Sequence, residues 1–393
     1  MKKSKTLIPD FLLVICSVLS LFFLMGILLH LIPQNTLANV FKVFRNKNIY
    51  QNNGKLGYRL SPYLRTNFEG HLLSVNSRGL RDREYDLKKK ADLRILALGD
   101  SFTFGEGVEA EDTYVKVLEE ILKSKYPDKK IEVINTGVPG YGNDQELQFL
   151  KKEGKNYKPD LVFVGFYVGN DFLDNEIGGI KRRKVKENGF LYDLYIERKI
   201  DEELRGENLD IFLCHIDRYL KEKSLAYFLF KSRIDNLMWK FGMKKFYDQY
   251  MILDLENFPY FKNPLSGKYK KGFELTINIL KEIKKESERL GAGVVVILIP
   301  AGFQVYEPSL DSLMAGYHLN KKDYDIEGLN SRLSERLKLE GIRVFDLLPV
   351  LKRKENGSLY SWGHWKPKAH SIAAEEIYRF MEASGIVFWL KKG

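Results

Sequence analysis

Residues 11–29 form an apolar run without a charge, broken only by Cys16, Ser17, Ser20 and Gly26. With Leu31 and Ile32 the run passes the ~20 residues a helix needs to cross a bilayer, so a transmembrane segment is expected over 11–32. Lys2, Lys3 and Lys5 precede it, and the positive-inside bias then places residues 1–10 in the cytoplasm and the rest outside. Thr36-Leu37-Ala38 would serve as a cleavage site, which makes a removed signal peptide the competing reading. Signal h-regions span only ~7–15 residues, and that length favours a retained signal anchor.

Residues 33–90 are polar and carry no long periodic stretch, so a linker or small N-terminal subdomain is expected. Beyond it the pattern alternates. Ile95 to Leu98 reads as a strand, and 113–126 as a helix with Tyr114, Val117, Leu118, Ile121 and Leu122 on one face. Strands follow over 131–134, 161–167, 294–299 and 344–345, with helices over 144–152, 273–290, 329–339 and 371–381. Strands alternating with helices predict a parallel sheet covered on both faces. The alternation breaks over 175–271, read as an insertion, whose aromatic-rich stretch from Ile211 to Trp239 suggests helices.

Composition narrows the function classes. The chain has 393 residues, 44% hydrophobic and 29% charged, enough for one large domain with an appendage. A net charge of +11 and the run Lys181-Arg182-Arg183-Lys184-Val185-Lys186 raise nucleic-acid binding. A Lys-rich solvated surface and an exposed insertion loop explain both features more simply, and no nucleic-acid partner is expected. Cys16 and Cys214 make no disulfide framework. Zinc-ligand spacing, a dinucleotide fingerprint and a Walker loop are absent, so neither metal nor cofactor is expected.

The chemistry-bearing segments lie at the strand ends, where open α/β sheets bind ligands. Gly99-Asp100-Ser101 follows the first strand, and residues 134–140 (Ile-Asn-Thr-Gly-Val-Pro-Gly) follow the second. Val168-Gly169-Asn170-Asp171 closes the third, and residues 363–370 (Gly-His-Trp-Lys-Pro-Lys-Ala-His) lie near the C-terminus. Each alone has a plain structural reading: Ser101 as a helix cap, Asn170-Asp171 as a turn. In this order they resemble the Ser, Gly, Asn and His blocks of the SGNH (GDSL-type) hydrolase family over roughly residues 91–390. The resemblance implies a three-layer, flavodoxin-like α/β fold. Residues 76–84 also resemble the Asn-x-x-Gly-x-Arg segment that often precedes the catalytic domain in membrane-anchored members; a turn with a salt-bridged edge is the alternative.

By resemblance, Ser101 is the nucleophile and His364 the base. A serine hydroxyl attacks effectively only when a base takes its proton. The oxyanion donors are then the Ser101 and Gly140 backbone N–H groups and the Asn170 side-chain amide, with Gly137 serving the turn and His370 a structural role. One feature departs from the family. The aspartate that normally stands two or three residues before the histidine is replaced by Ser361 and Trp362. A backbone carbonyl, Ser361 Oγ or Asp346 is left to orient the imidazole. The implied activity is ester hydrolysis, including O-acetyl groups, on an acylated small molecule, glycan or lipid outside the membrane. O-acyl transfer to a cell-surface polysaccharide and a catalytically weakened binding protein are the alternatives. Alginate-type acetyltransferases place their Asp-x-His before the serine, whereas His364 follows Ser101, which favours the hydrolase.

Overall fold

Alternating strand and helix runs assemble, in the computed structural model, into a parallel sheet with helices on both faces. The structure describes residues 49–68, 70–179, 183–185, 191–193, 257–316, 319–354, 359–361 and 363–387. They belong to one compact unit drawn from 46–196 and 249–393. The expected anchor over 11–32 and most of the 175–271 insertion lie outside them. Among the described residues, no helix is long and apolar enough to cross a membrane.

The region expected to be a linker or small N-terminal subdomain forms two antiparallel hairpins, β1 (Tyr50–Asn53) with β2 (Gly57–Leu60) and β3 (Arg65–Phe68) with β4 (His71–Ser74). Four-residue strands are too short to show a period. Then come β5 (Leu93–Gly99), α1 (Ser101–Phe104), α2 (Tyr114–Lys125), β6 (Ile131–Asn135), α3 (Asn143–Lys152), β7 (Leu161–Tyr167) and α4 (Asp171–Ile177). A short hairpin, β8 (Arg183–Val185) and β9 (Leu191–Asp193), opens the insertion. The domain resumes with α5 (Gly267–Arg289), β10 (Gly293–Ile299), α6 (Gly302–Val305), α7 (Glu307–Gly316), α8 (Gly328–Leu339) and β11 (Arg343–Asp346). It closes with α9 (Leu348–Lys354), the two-residue strands β12 (Tyr360–Ser361) and β13 (His364–Trp365), and α10 (Pro367–Ala383).

The main sheet runs β11-β10-β7-β5-β6 with every pair parallel. Numbered within the sheet this is the order 2-1-3-4-5 of flavodoxin-like folds. Because strand side chains alternate between faces, each strand feeds two cores. Leu96, Leu98, Val162, Val164, Val296 and Leu298 pack with α3, α5 and α8 on one face. On the other, Ile95, Ala97, Phe163, Val295 and Ile297 pack with α2, α9 and α10. Order reverses between β5 and β7, so the loops after β5, β6 and β7 share the edge where a ligand crevice is expected.

The hairpins brace that edge. Tyr58 Oη donates to the Pro139 carbonyl at 2.8 Å, Tyr141 Oη to the Tyr58 carbonyl at 2.6 Å, and Gln145 Nε2 to the Leu56 carbonyl at 2.7 Å.

Candidate active site

Strand β5 turns sharply into α1. Gly99 has φ of +156°, and a Cβ there would meet Thr103 Oγ1 at 2.0 Å, so the turn accepts no side chain. Asp100 caps α1 by accepting from the Phe102 N–H at 2.9 Å. Ser101 thus begins the helix at the sheet's carboxyl edge, 8% exposed. From the far side, Arg81 donates to the carbonyls of Phe104, Gly105 and Val108 at 3.1, 2.6 and 2.6 Å. Burial lowers its pKa to about 10.

The neighbouring residues of the Asn-x-x-Gly-x-Arg segment are bonded as well. Asn76 Oδ1 accepts from Arg78 and Leu80 N–H groups, Asp82 accepts from Asn135 N–H and Lys116, and Arg83 pairs with Glu119. The segment holds the nucleophile helix and the start of the glycine loop in place.

His364 reaches the serine from the other end of the chain. Its Nε2 lies 2.8 Å from Ser101 Oγ. The β12–β13 pairing sets Ser361 opposite His364 in register, but the Ser361 side chain and Trp362 lie outside the described residues. Phe102, the residue after the nucleophile, packs its ring 5.2 Å from the imidazole and 5.3 Å from Trp365. Asp346 does not orient His364 in the bonds observed. Its Oδ1 accepts from Asn330 Nδ2 at 2.9 Å and from the Leu348 N–H at 3.0 Å, which caps α9.

His370 is buried six residues further on, where its Nδ1 accepts from the Tyr114 N–H at 3.1 Å. Burial lowers its pKa to about 3, so it is neutral. The closing helix starts at Pro367, earlier than the 371 expected, because proline suits a first helical turn.

The loop after β6 is tied to β5 by Val138 N–H donating to the Gly99 carbonyl at 3.1 Å, and Gly137 N–H donates to Asn135 Oδ1 at 2.9 Å. Gly140 has φ of +76°, and a Cβ there would lie 2.8 Å from Arg183 Cζ. Asn170 starts α4 without capping it through its side chain, and its enclosed Oδ1 has no hydrogen-bond partner.

Two residues of this neighbourhood escaped the sequence reading. Within the basic run read as an exposed loop, Arg183 folds inward: it is 7% exposed and its Nη1 donates to the Gly140 carbonyl. The same Nη1 stands 3.4 Å from Asp174 Oδ1. A single residue within a basic run carries no local sign that it folds inward. The second is Glu106, whose Oε2 lies 3.9 Å from His364 Nε2.

Beneath the loops, Asp100, Glu146 and Asp171 are fully enclosed; burial first, then repulsion from neighbouring carboxyls, raises all three pKa values, against the hydrogen bonds donated to them, which lower them. Their bonds are structural: Asp171 Oδ2 accepts from the Tyr167 N–H at 2.9 Å and Glu146 Oε2 from Asn143 Nδ2 at 3.0 Å. Among the described residues, no group of three or more His, Cys, Asp or Glu side chains is placed to hold a metal ion.

No protein-family model matches the sequence, and no curated protein matches it. Solved structures do show similarity. A catalytic mutant of Axe2, an acetylxylan esterase from Geobacillus stearothermophilus, aligns at 14% identity with a TM-score of 0.39, over 74% of this chain and 95% of that one. LAE5, an α/β hydrolase enzyme from the metagenome of Lake Arreo, aligns at 14% and 0.38 over 76% and 98%. TesA aligns at 12% and 0.36 over 74% and 98%. Likeness at this level carries no functional argument, and the chemistry proposed below stands on the residues themselves.

Proposed function

We propose that the chain is a serine ester hydrolase. The observation that carries this reading is the 2.8 Å approach of His364 Nε2 to Ser101 Oγ at the start of a capped helix. In acylation, Ser101 Oγ attacks the ester carbonyl as its proton passes to His364 Nε2. The carbonyl electron pair moves onto oxygen, which the Ser101 and Gly140 N–H groups and the Asn170 amide would hold. Collapse expels the alcohol, which takes the proton from His364. Water then repeats the sequence in reverse and releases the acid. The apolar segment 11–32 supports the finer reading of a membrane-anchored enzyme acting outside the cytoplasm on an acylated glycan or lipid.

A fluorophosphonate probe tests the nucleophile. It is expected to label the wild-type chain and leave Ser101→Ala unmodified, with loss of aryl-ester turnover in the same variant. Equal labelling of both proteins would remove Ser101 from the mechanism.

A further inference from the structure

We propose that Glu106 supplies the negative charge that stabilises His364 once it has taken the Ser101 proton, in the absence of a carboxylate at 361 or 362. The proposal rests on the Ser101–His364 reading. Glu106 lies five residues after the nucleophile, and its N–H donates to the Ser101 carbonyl at 3.0 Å. This anchors its backbone to the nucleophile's own helix. Its carboxylate then stands 3.9 Å from His364 Nε2, with the side chain 12% exposed. An opposite charge at that range favours the protonated imidazole.

Among the described residues, the other charged or titratable groups whose charges are linked to this site are less suited to the part. Asp100, at the end of β5, feels the His364 charge, but its carboxyl is fully enclosed and caps α1. Arg183 acts on Asp100. His370, on α10, is buried and neutral. Arg81 acts on Glu106 and on His370.

The proton balance is simple. It moves from Ser101 Oγ to His364 Nε2 as the new C–O bond forms, and from Nε2 to the departing alkoxide as the old one breaks. Glu106 neither gains nor loses it. It is a positioning residue, acting on the charge of the base.

The test measures fluorophosphonate inactivation and aryl-ester kcat/KM from pH 5 to 9 on the full chain, with Ser101→Ala as the blank. Removing the charge lowers the pKa of the base. Glu106→Gln is therefore expected to move the acid-limb midpoint down by about one unit and to lower the plateau roughly 10- to 100-fold, less than the ~10⁴ lost when a triad aspartate is neutralised. Glu106→Asp keeps the charge and should bring the midpoint back towards the wild-type value. An unmoved midpoint in Glu106→Gln, with or without a lower plateau, would overturn the proposal. So would Asp and Gln variants with the same profile. If Glu106→Gln does not fold, Glu106→Ala takes its place in the same comparison. A wild-type chain that the probe does not label would overturn the esterase reading itself, a result separate from labelled wild type with an unmoved Gln profile.

Discussion

Asn170 combines a helix-start backbone with a side chain that does not cap the helix. An asparagine at that place would ordinarily satisfy a first-turn N–H, and here the side chain makes no such bond. In the proposed chemistry it holds the oxyanion. Asn170→Ala is expected to lower kcat by ~10²–10³ with a small change in KM, the scale seen when one such donor is removed. A KM effect alone would make Asn170 a ground-state binding residue. Ser101, Gly140, Asn170 and His364 could be named as candidates because each sits in a block with a fixed position after a strand or near the C-terminus, and the structure brings Ser101 and His364 together. Glu106 and Arg183 were not, because their neighbours His364 and Gly140 are far away in sequence and only folding brings them close.

At the scale of elements, His370 joins α10 to α2. Its Nδ1 accepts the Tyr114 N–H, one of the first-turn donors that a helix leaves unpaired, and the two rings stack 6.2 Å apart. Protonation would destroy that acceptor. Its pKa is lowered from 6.5 to about 3 by burial, so between those values the unfolded chain binds a proton that the folded chain refuses. This contribution to stability is complete above pH 6.5 and is lost as pH falls towards 3, at about 1.4 kcal/mol per unit. His370→Asn keeps an acceptor but cannot titrate there. Urea midpoints at pH 7 and pH 4.5 should show a smaller acid loss for this variant than for wild type. Parallel losses would assign the acid sensitivity elsewhere. The long helices and sheet strands were visible as periodic runs, whereas β1 to β4 were not, since four residues cannot establish a period.

For the whole molecule, the decisive question is which side of a membrane the domain occupies. The proposed anchor predicts that alkaline phosphatase fused after Gly393 is active and that green fluorescent protein fused there is dark. The reverse pattern would place the domain in the cytoplasm and withdraw extracytoplasmic substrates. The net charge of +11 is spread over a Lys-rich chain, yet some of its arginines are structural. Arg81 and Arg94 are 3% and 0% exposed, and Arg94 bonds Glu132 and the carbonyls of Tyr157 and Asp86. Charge counted along the chain therefore overstates what a partner would meet.

The sequence by itself determined the alternation that makes a parallel sheet and the order of the four candidate blocks. Those are local properties: periodicity, turn residues and short motifs depend on neighbours in the chain. Tertiary structure alone decided the strand order, the 2.8 Å meeting of Ser101 and His364 across 263 positions, and the burial of Arg183 against Gly140. It also decided that Asp346 caps a helix while Glu106 faces the base. A carboxylate's part is set by which groups the fold brings within a few ångströms, and no pattern along the chain records that distance.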